Sequence, residues 1–235
     1  MPLSLAKSTS ETHQIKAIIF DMDGLLLDTE TLSFESFVTT AKRYDIAVGI
    51  DHYQDMIGLN AATGIEILGR ILPSNINAMV FKNEWLDVYQ GLLSGDVLTK
   101  TGAHTFLARL HELNVPRAVA TSSSGAKARR LLQKTGLMRF IQHVTGGDEV
   151  NAGKPAPDVY TDAAKKLGIA PKHCLAFEDS NNGATAALAA GMWVIQIPDL
   201  APSNRLPNPP DFYICSNLKE AASLIGLSID DHLET

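Results

Sequence analysis

Cysteine is almost missing from this sequence. Two occur in 235 residues, Cys174 and Cys215, so there is no disulfide framework and no cysteine spacing for a zinc site. Both fall in apolar segments that read as buried strands, which makes them small core hydrophobes in a reducing compartment. Basic residues are also short: 20 Lys and Arg face 26 Asp and Glu, for a formal net charge of -6. No basic stripe is left to neutralise a phosphate backbone, so a nucleic-acid polymer is excluded as a partner. The one basic cluster, Lys127, Arg129 and Arg130, falls in a helical stretch and reads as a solvated face. No apolar run approaches the length of a membrane span. Residues 1–14, "MPLSLAKSTSETHQ", lack the apolar run of a secretory signal and the clustered arginines of an import peptide. They are expected to be a flexible tail on a soluble, cytoplasmic, monomeric protein.

What is present is alternation. "IKAIIF" (15–20), "VPRAVAT" (115–121), "FIQHVTG" (140–146), "CLAFED" (174–179) and "WVIQIPD" (193–199) are short apolar runs, rich in β-branched residues, each ending in a polar or glycine-bearing turn. Helical patterns separate them over 101–113, 126–135, 157–167 and 182–190, with Gly136, Gly168 and Gly191 where left-handed caps belong. This order predicts an α/β fold: a Rossmann-like parallel sheet with helices on both faces. From 32 to 96 the apolar residues recur every three or four positions with no convincing strand, too long a stretch for a loop. It is read as an inserted α-helical cap domain of 32–96, the catalytic core being 15–31 with 97–235.

Ligands of such sheets bind beyond the carboxyl ends of the strands. The polar residues there are Asp21 and Asp23, Thr121 and Ser122, Gly146 to Asp148 with nearby Lys154, and Glu178 with Asp179. Four carboxylates with neutral hydroxyls and one lysine describe a site for a hard, oxygen-ligated cation, and Mg²⁺ is the usual choice when a phosphate completes the coordination. Asp21 is the candidate nucleophile and Asp23 the candidate acid and base. Thr121 and Ser122 offer hydroxyl and N–H donors at the head of a helix, and Lys154 can pair with a phosphoryl oxygen or with the nucleophile.

"DMDGLLLDT", Thr121 of "ATSSS", Lys154 of "GKPAPDVY" and the "EDS" of 178–180 resemble, in order, the four motifs of the haloacid dehalogenase superfamily. The wording is similar to its branch of phosphatases and β-phosphoglucomutases with a small helical cap, and within it to the pseudouridine-5'-phosphatases and 2-deoxyglucose-6-phosphatases. The resemblance implies a phosphoaspartate on Asp21, acid–base work by Asp23, and Mg²⁺ held by Asp21, Asp179, the Asp23 carbonyl and Glu178. Phosphate would be held by Thr121, Ser122 and Lys154. The substrate would be a small phosphorylated metabolite, a sugar phosphate or nucleoside 5'-phosphate.

Departures bear on the alternatives. Asp23 argues against the metal-free dehalogenases, which lack it. A mutase of this branch has a histidine where this chain has Ser33, and an arginine near a cap glycine where it has Ala61. A phosphoglucomutase-like isomerase and a non-enzymatic regulator are therefore the secondary readings. Asp28 is expected to cap a helix or brace the hinge, and Glu30 to be helix-terminal charge or a substrate contact. Asn60 and Lys82 are the cap candidates for touching the leaving group. Phe34, Phe37, Phe81, Trp85 and Tyr89 are expected to fill the cap's own core.

Overall fold

Six short parallel strands carry the molecule. The computed structural model describes residues 3–5, 13–54, 56–57, 61–200 and 211–229. Ahead of the main sheet, β1 (Leu3–Leu5) pairs antiparallel with β2 (His13–Ile15). β3 (Ala17–Phe20) then starts the six-stranded sheet with β4 (Arg117–Ala120), β5 (His143–Thr145), β6 (Cys174–Glu178), β7 (Trp193–Gln196) and β8 (Phe212–Ile214). Their order is β5-β4-β3-β6-β7-β8, every neighbour parallel. β3, first of the six in sequence, lies inside, with β4 on one side and β6 on the other.

Strand periodicity divides the core in two. Ile18 and Phe20 point to one face, where Phe20 stacks on Phe177 (5.1 Å between centroids) and meets Phe106 edge-on at 5.6 Å. Ala17 and Ile19 point to the other, against Val159, Tyr160 and Ala176. The first face is covered by α5 (Ala103–Glu112), α6 (Gly125–Lys134) and α9 (Leu218–Leu224), the second by α7 (Asp158–Leu167) and α8 (Asn181–Ala189). Gly136, Gly168 and Gly191 take φ of +73°, +71° and +81°, closing the turns after α6, α7 and α8 as their positions in the sequence predict.

Between β3 and α5 lie α1 (Thr29–Lys42), α2 (Ile50–Gln54), α3 (Ala61–Ile71) and α4 (Ala78–Ser94). They enclose a cluster of their own, with Phe37 and Phe81 fully buried and Tyr53, Leu68 and Trp85 around them. The two chain connections to this block run antiparallel past each other. Leu27 bridges Thr99, Asp28 N–H donates to Leu98 O at 2.9 Å, and Lys100 N–H donates to Leu26 O at 3.0 Å. The Lys100 ammonium binds the crossing to the loop after β7, 2.6 Å from Asp199 and 3.4 Å from Asp28.

The structure differs from the sequence reading in places. The expected strand over 140–146 begins only at His143, because Leu137–Phe140 coils into a 3₁₀ turn that buries Leu137 and Phe140. β8, α2 and α9 carry too few apolar positions to register as periodic patterns. No helix among the described residues is long and apolar enough to cross a membrane.

Candidate active site

Asp21 is the first residue beyond β3, and its N–H donates to Phe177 O of β6 at 2.9 Å, so the sheet itself fixes the backbone beneath the carboxylate. The chain then folds into a tight turn in which Met22, Leu25, Leu26 and Leu27 are buried, the apolar anchor for the charged residues around them. Gly24 makes the turn possible. Its φ is +82°, and a Cβ there would stand 2.4 Å from Asp179 Oδ2.

Lys154 arrives from the loop before α7 and spends all three of its N–H donors. It contacts Asp21 Oδ1, lies 2.5 Å from Glu178 Oε1 and donates to Ala120 O at 3.0 Å, its side chain only 6 % exposed. Burial opposes its charge, but the Asp21 and Glu178 carboxylates outweigh that and hold its pKa above the ordinary lysine value. Glu178 is saturated by protein donors: Lys154 and the Tyr160 hydroxyl (2.7 Å) on Oε1, Ser180 N–H and Oγ–H (3.1 and 3.0 Å) on Oε2. Burial alone would raise its pKa, yet Lys154 and these hydrogen bonds keep it below the usual carboxylate value. Gly183 leaves it room, since a Cβ there would fall 1.7 Å from Oε1.

Asp21, Glu178 and Asp179 bring carboxylate oxygens within 4.8 Å of one another, all three side chains buried. Burial is the main force raising Asp21 and Asp179 well above ordinary carboxylates. Lys154 pulls both the other way. Buried carboxylates crowded against a bare glycine form a cradle whose donor chemistry suits a hard divalent cation. Because Glu178 has both oxygens engaged, the oxygens best placed to serve such an ion are those of Asp21 and Asp179.

Asp23 stands apart from this cluster in its partners. Thr29 Oγ–H donates to Oδ1 at 2.8 Å, while Ser123 and Thr121 donate to Oδ2 at 2.8 and 3.2 Å. Thr121 is buried, and Ser122 is exposed toward the cavity. The head of α6 is less free than its sequence suggests, because Gly125 N–H is taken by Asp148 Oδ1 at 2.7 Å. Asp148 thus acts as a helix partner.

Asp21, Asp23, Thr121, Ser122, Lys154 and Asp179 line one cavity of about 490 Å³, with Glu178 directly behind them. Glu30, Ser33, Ile57 and Tyr89 of the inserted block line it as well. Asn60 lies outside the described residues. Lys82 is partly buried on α4 and is not among the lining residues.

Three features escaped the sequence reading. Lys127, expected on a solvated face, turns inward, 3.9 Å from Asp23 and 3.4 Å from the Tyr89 hydroxyl, whereas Arg130 is exposed and Arg129 pairs with Glu149 at 2.7 Å. Tyr89, expected in the helical block's core, faces the cavity instead. Tyr160, unremarked in the sequence, holds Glu178. The first two depend on which way a helix rotates once packed; the last had a weak signal, four apolar or aromatic residues on one face of α7.

The family model for haloacid dehalogenase-like hydrolases matches residues 18–197, more than half of the chain. The chain belongs to that family. Among other haloacid dehalogenase-like proteins, it is 30 % identical over 178 residues to the phosphorylated carbohydrates phosphatase of Thermotoga maritima, covering 76 % of this chain and 82 % of that protein. It is 34 % identical over 196 residues to the probable pseudouridine-5'-phosphatase of Drosophila melanogaster, covering 80 % and 83 %. The crystal structure of a putative β-phosphoglucomutase from Thermotoga maritima superposes with a TM-score of 0.70 at 25 % identity, over 90 % of this chain and 99 % of that one. The parallel sheet with helices on both faces is the fold of this family.

Proposed function

We propose that the chain is a Mg²⁺-dependent phosphatase of small phosphomonoesters, sugar phosphates or nucleoside 5'-phosphates, working through a phosphoaspartate on Asp21. The observation that carries this reading is the division of labour between two aspartates in one cavity. Asp21 is held by a buried ammonium, and Asp23, two residues on, by three hydroxyls. Both relatives named above are phosphatases by name, which supports the same class.

Asp21 attacks phosphorus: an Asp21 O–P bond forms, the bond to the leaving oxygen breaks, and Asp23 gives that oxygen its proton. Water then attacks the same phosphorus, Asp23 takes the proton back, and the Asp21 O–P bond breaks to release phosphate. The Ser122 N–H is turned to the phosphoryl oxygens. Lys154 exchanges its contact with Asp21, and the Thr121 hydroxyl its bond to Asp23, for phosphoryl oxygens when the substrate arrives, while Glu178 keeps Lys154 charged and aimed. Asp21 and Asp179 would hold the Mg²⁺, which offsets the charge between the nucleophile and the phosphate dianion. Residues 32–96 act as a cap over a core of 15–31 and 97–235, closing on the substrate and excluding water. Ser33, Ile57 and Tyr89 bring that cap to the cavity wall, and Glu30 lines it just ahead of the cap. The protein works as a monomer in the cytoplasm, a reducing setting consistent with two buried free cysteines whose thiols burial raises to about 12 and about 11.

Acid quench of the enzyme during turnover of a hexose phosphate, followed by borohydride reduction, tests the covalent step. An aspartyl phosphate is converted to homoserine, which peptide mass spectrometry should find at position 21. Homoserine elsewhere, or none at all with turnover intact, would overturn the mechanism. EDTA should abolish phosphate release and added Mg²⁺ restore it.

A further inference from the structure

Among the described residues the cavity holds two ammonium groups, and they face different aspartates. Lys154 serves Asp21. Lys127, in the first turn of α6, lies 3.9 Å from Asp23 Oδ1 with its side chain 21 % exposed. Its Nζ is also 3.4 Å from the Tyr89 hydroxyl and 4.9 Å above that ring, so it reaches from α6 across to α4. A cation beside the acid–base residue, and away from the nucleophile, stands next to the oxygen that leaves.

Opposite in sign, Glu30 lines the same cavity from the start of α1. The Tyr53 hydroxyl donates to its Oε2 at 2.6 Å, fixing one oxygen and leaving Oε1 as an acceptor. The leaving-group end of the cavity therefore offers one ammonium donor, one carboxylate acceptor and the hydroxyls of Ser33 and Tyr89. A hydroxyl group both donates and accepts, so a leaving group with several of them satisfies each wall residue. An anionic leaving group is drawn by Lys127 but has no hydrogen to offer Glu30, whose ionised form repels it. An aryl group satisfies none of them.

We propose that Lys127 and Glu30 are the specificity-determining pair of this enzyme, together selecting a neutral, polyhydroxylated leaving group. The assignment rests on the phosphatase reading above and adds to it the side chains that choose the substrate.

The test compares kcat/KM of wild type, Lys127→Met and Glu30→Gln on a hexose phosphate, on phosphoglycolate and on p-nitrophenyl phosphate, with circular dichroism to check folding. Wild type should favour the hexose phosphate over phosphoglycolate by at least about tenfold. In each variant the ratio of hexose phosphate to p-nitrophenyl phosphate activity should fall by about 10-fold to 100-fold, the range for losing a buried hydrogen bond to a charged group. Glu30→Gln should also narrow the discrimination against phosphoglycolate. A ratio unchanged in both variants, or a wild type that prefers phosphoglycolate, would overturn the pair while turnover of p-nitrophenyl phosphate left the phosphatase reading standing. If wild type released no phosphate from any of the three, the phosphatase reading would fail and the pair with it.

Discussion

Lys154 is the residue whose removal should hurt most after the aspartates. It pairs with both Asp21 and Glu178, and its side chain is nearly sealed from water. Lys154→Met should lower kcat/KM by at least about a hundredfold, as loss of a group that stabilises transition-state charge does. Lys154→Arg should not restore it, because a planar fork cannot reach three acceptors arranged around one nitrogen. A steady-state assay of both variants decides this. Gly183→Ala makes a second residue-scale case: its methyl would overlap Glu178 Oε1, so unfolding midpoints in urea should fall by an amount equivalent to about 1–3 kcal/mol, and activity with them.

Glu30 gives a pH signature. Burial lifts its pKa to about 7, Asp23 and Asp199 push the same way, and Tyr53 and Lys127 oppose them. A carboxyl raised in the folded state favours folding below its ordinary pKa, near 4.5, and that benefit is lost as pH rises through about 7. In EDTA, the melting temperature of Glu30→Gln relative to wild type should therefore climb between about pH 5 and pH 8. A difference independent of pH would contradict it. At this scale the sequence was most legible where chemistry sits at strand ends. Asp21, Asp23, Thr121, Lys154 and Asp179 are brought together because an open parallel sheet gathers those ends. Lys127 and Tyr89 were not legible, since amphipathic spacing says that a helix has faces but not which neighbour each face meets.

Among the elements, the crossing between the helical block and the sheet is the joint to probe. Lys100 ties the first connection, through Asp28, to the loop after β7, through Asp199. Asp199 Oδ2 is buried without a hydrogen-bond partner among the described residues, so the link from Lys100 to the loop after β7 rests on the ion pair at Oδ1. Lys100→Met should lower stability by roughly 1–3 kcal/mol by stranding a partly buried carboxylate. It should also change KM more than Asp21-dependent chemistry if the joint governs closure. Urea melts and steady-state kinetics of the same variant separate the two effects. The long elements here were readable from periodicity, α1 and α4 among them, because many apolar positions repeat. β8 and α2 were not, because three or five residues give a period too little length to show, and their neighbours in space do the work of holding them.

For the whole molecule, charge and topology converge on one edge of the sheet. A chain with a formal net charge of -6 brings oxygens of three buried carboxylates within 4.8 Å of one another beside the buried Lys154, in and behind the wall of a cavity of about 490 Å³. That volume suits a small metabolite. The arrangement makes sense if the excess negative charge awaits a cation and a phosphate together, with Asp21 as the atom that attacks. The most direct test is phosphate release by wild type and Asp21→Asn, assayed with Mg²⁺ on the same sugar phosphates. Substitution of the nucleophile should lower kcat at least several hundred-fold, with the fold intact by circular dichroism. An Asp21→Asn enzyme that kept near-full activity would contradict the account.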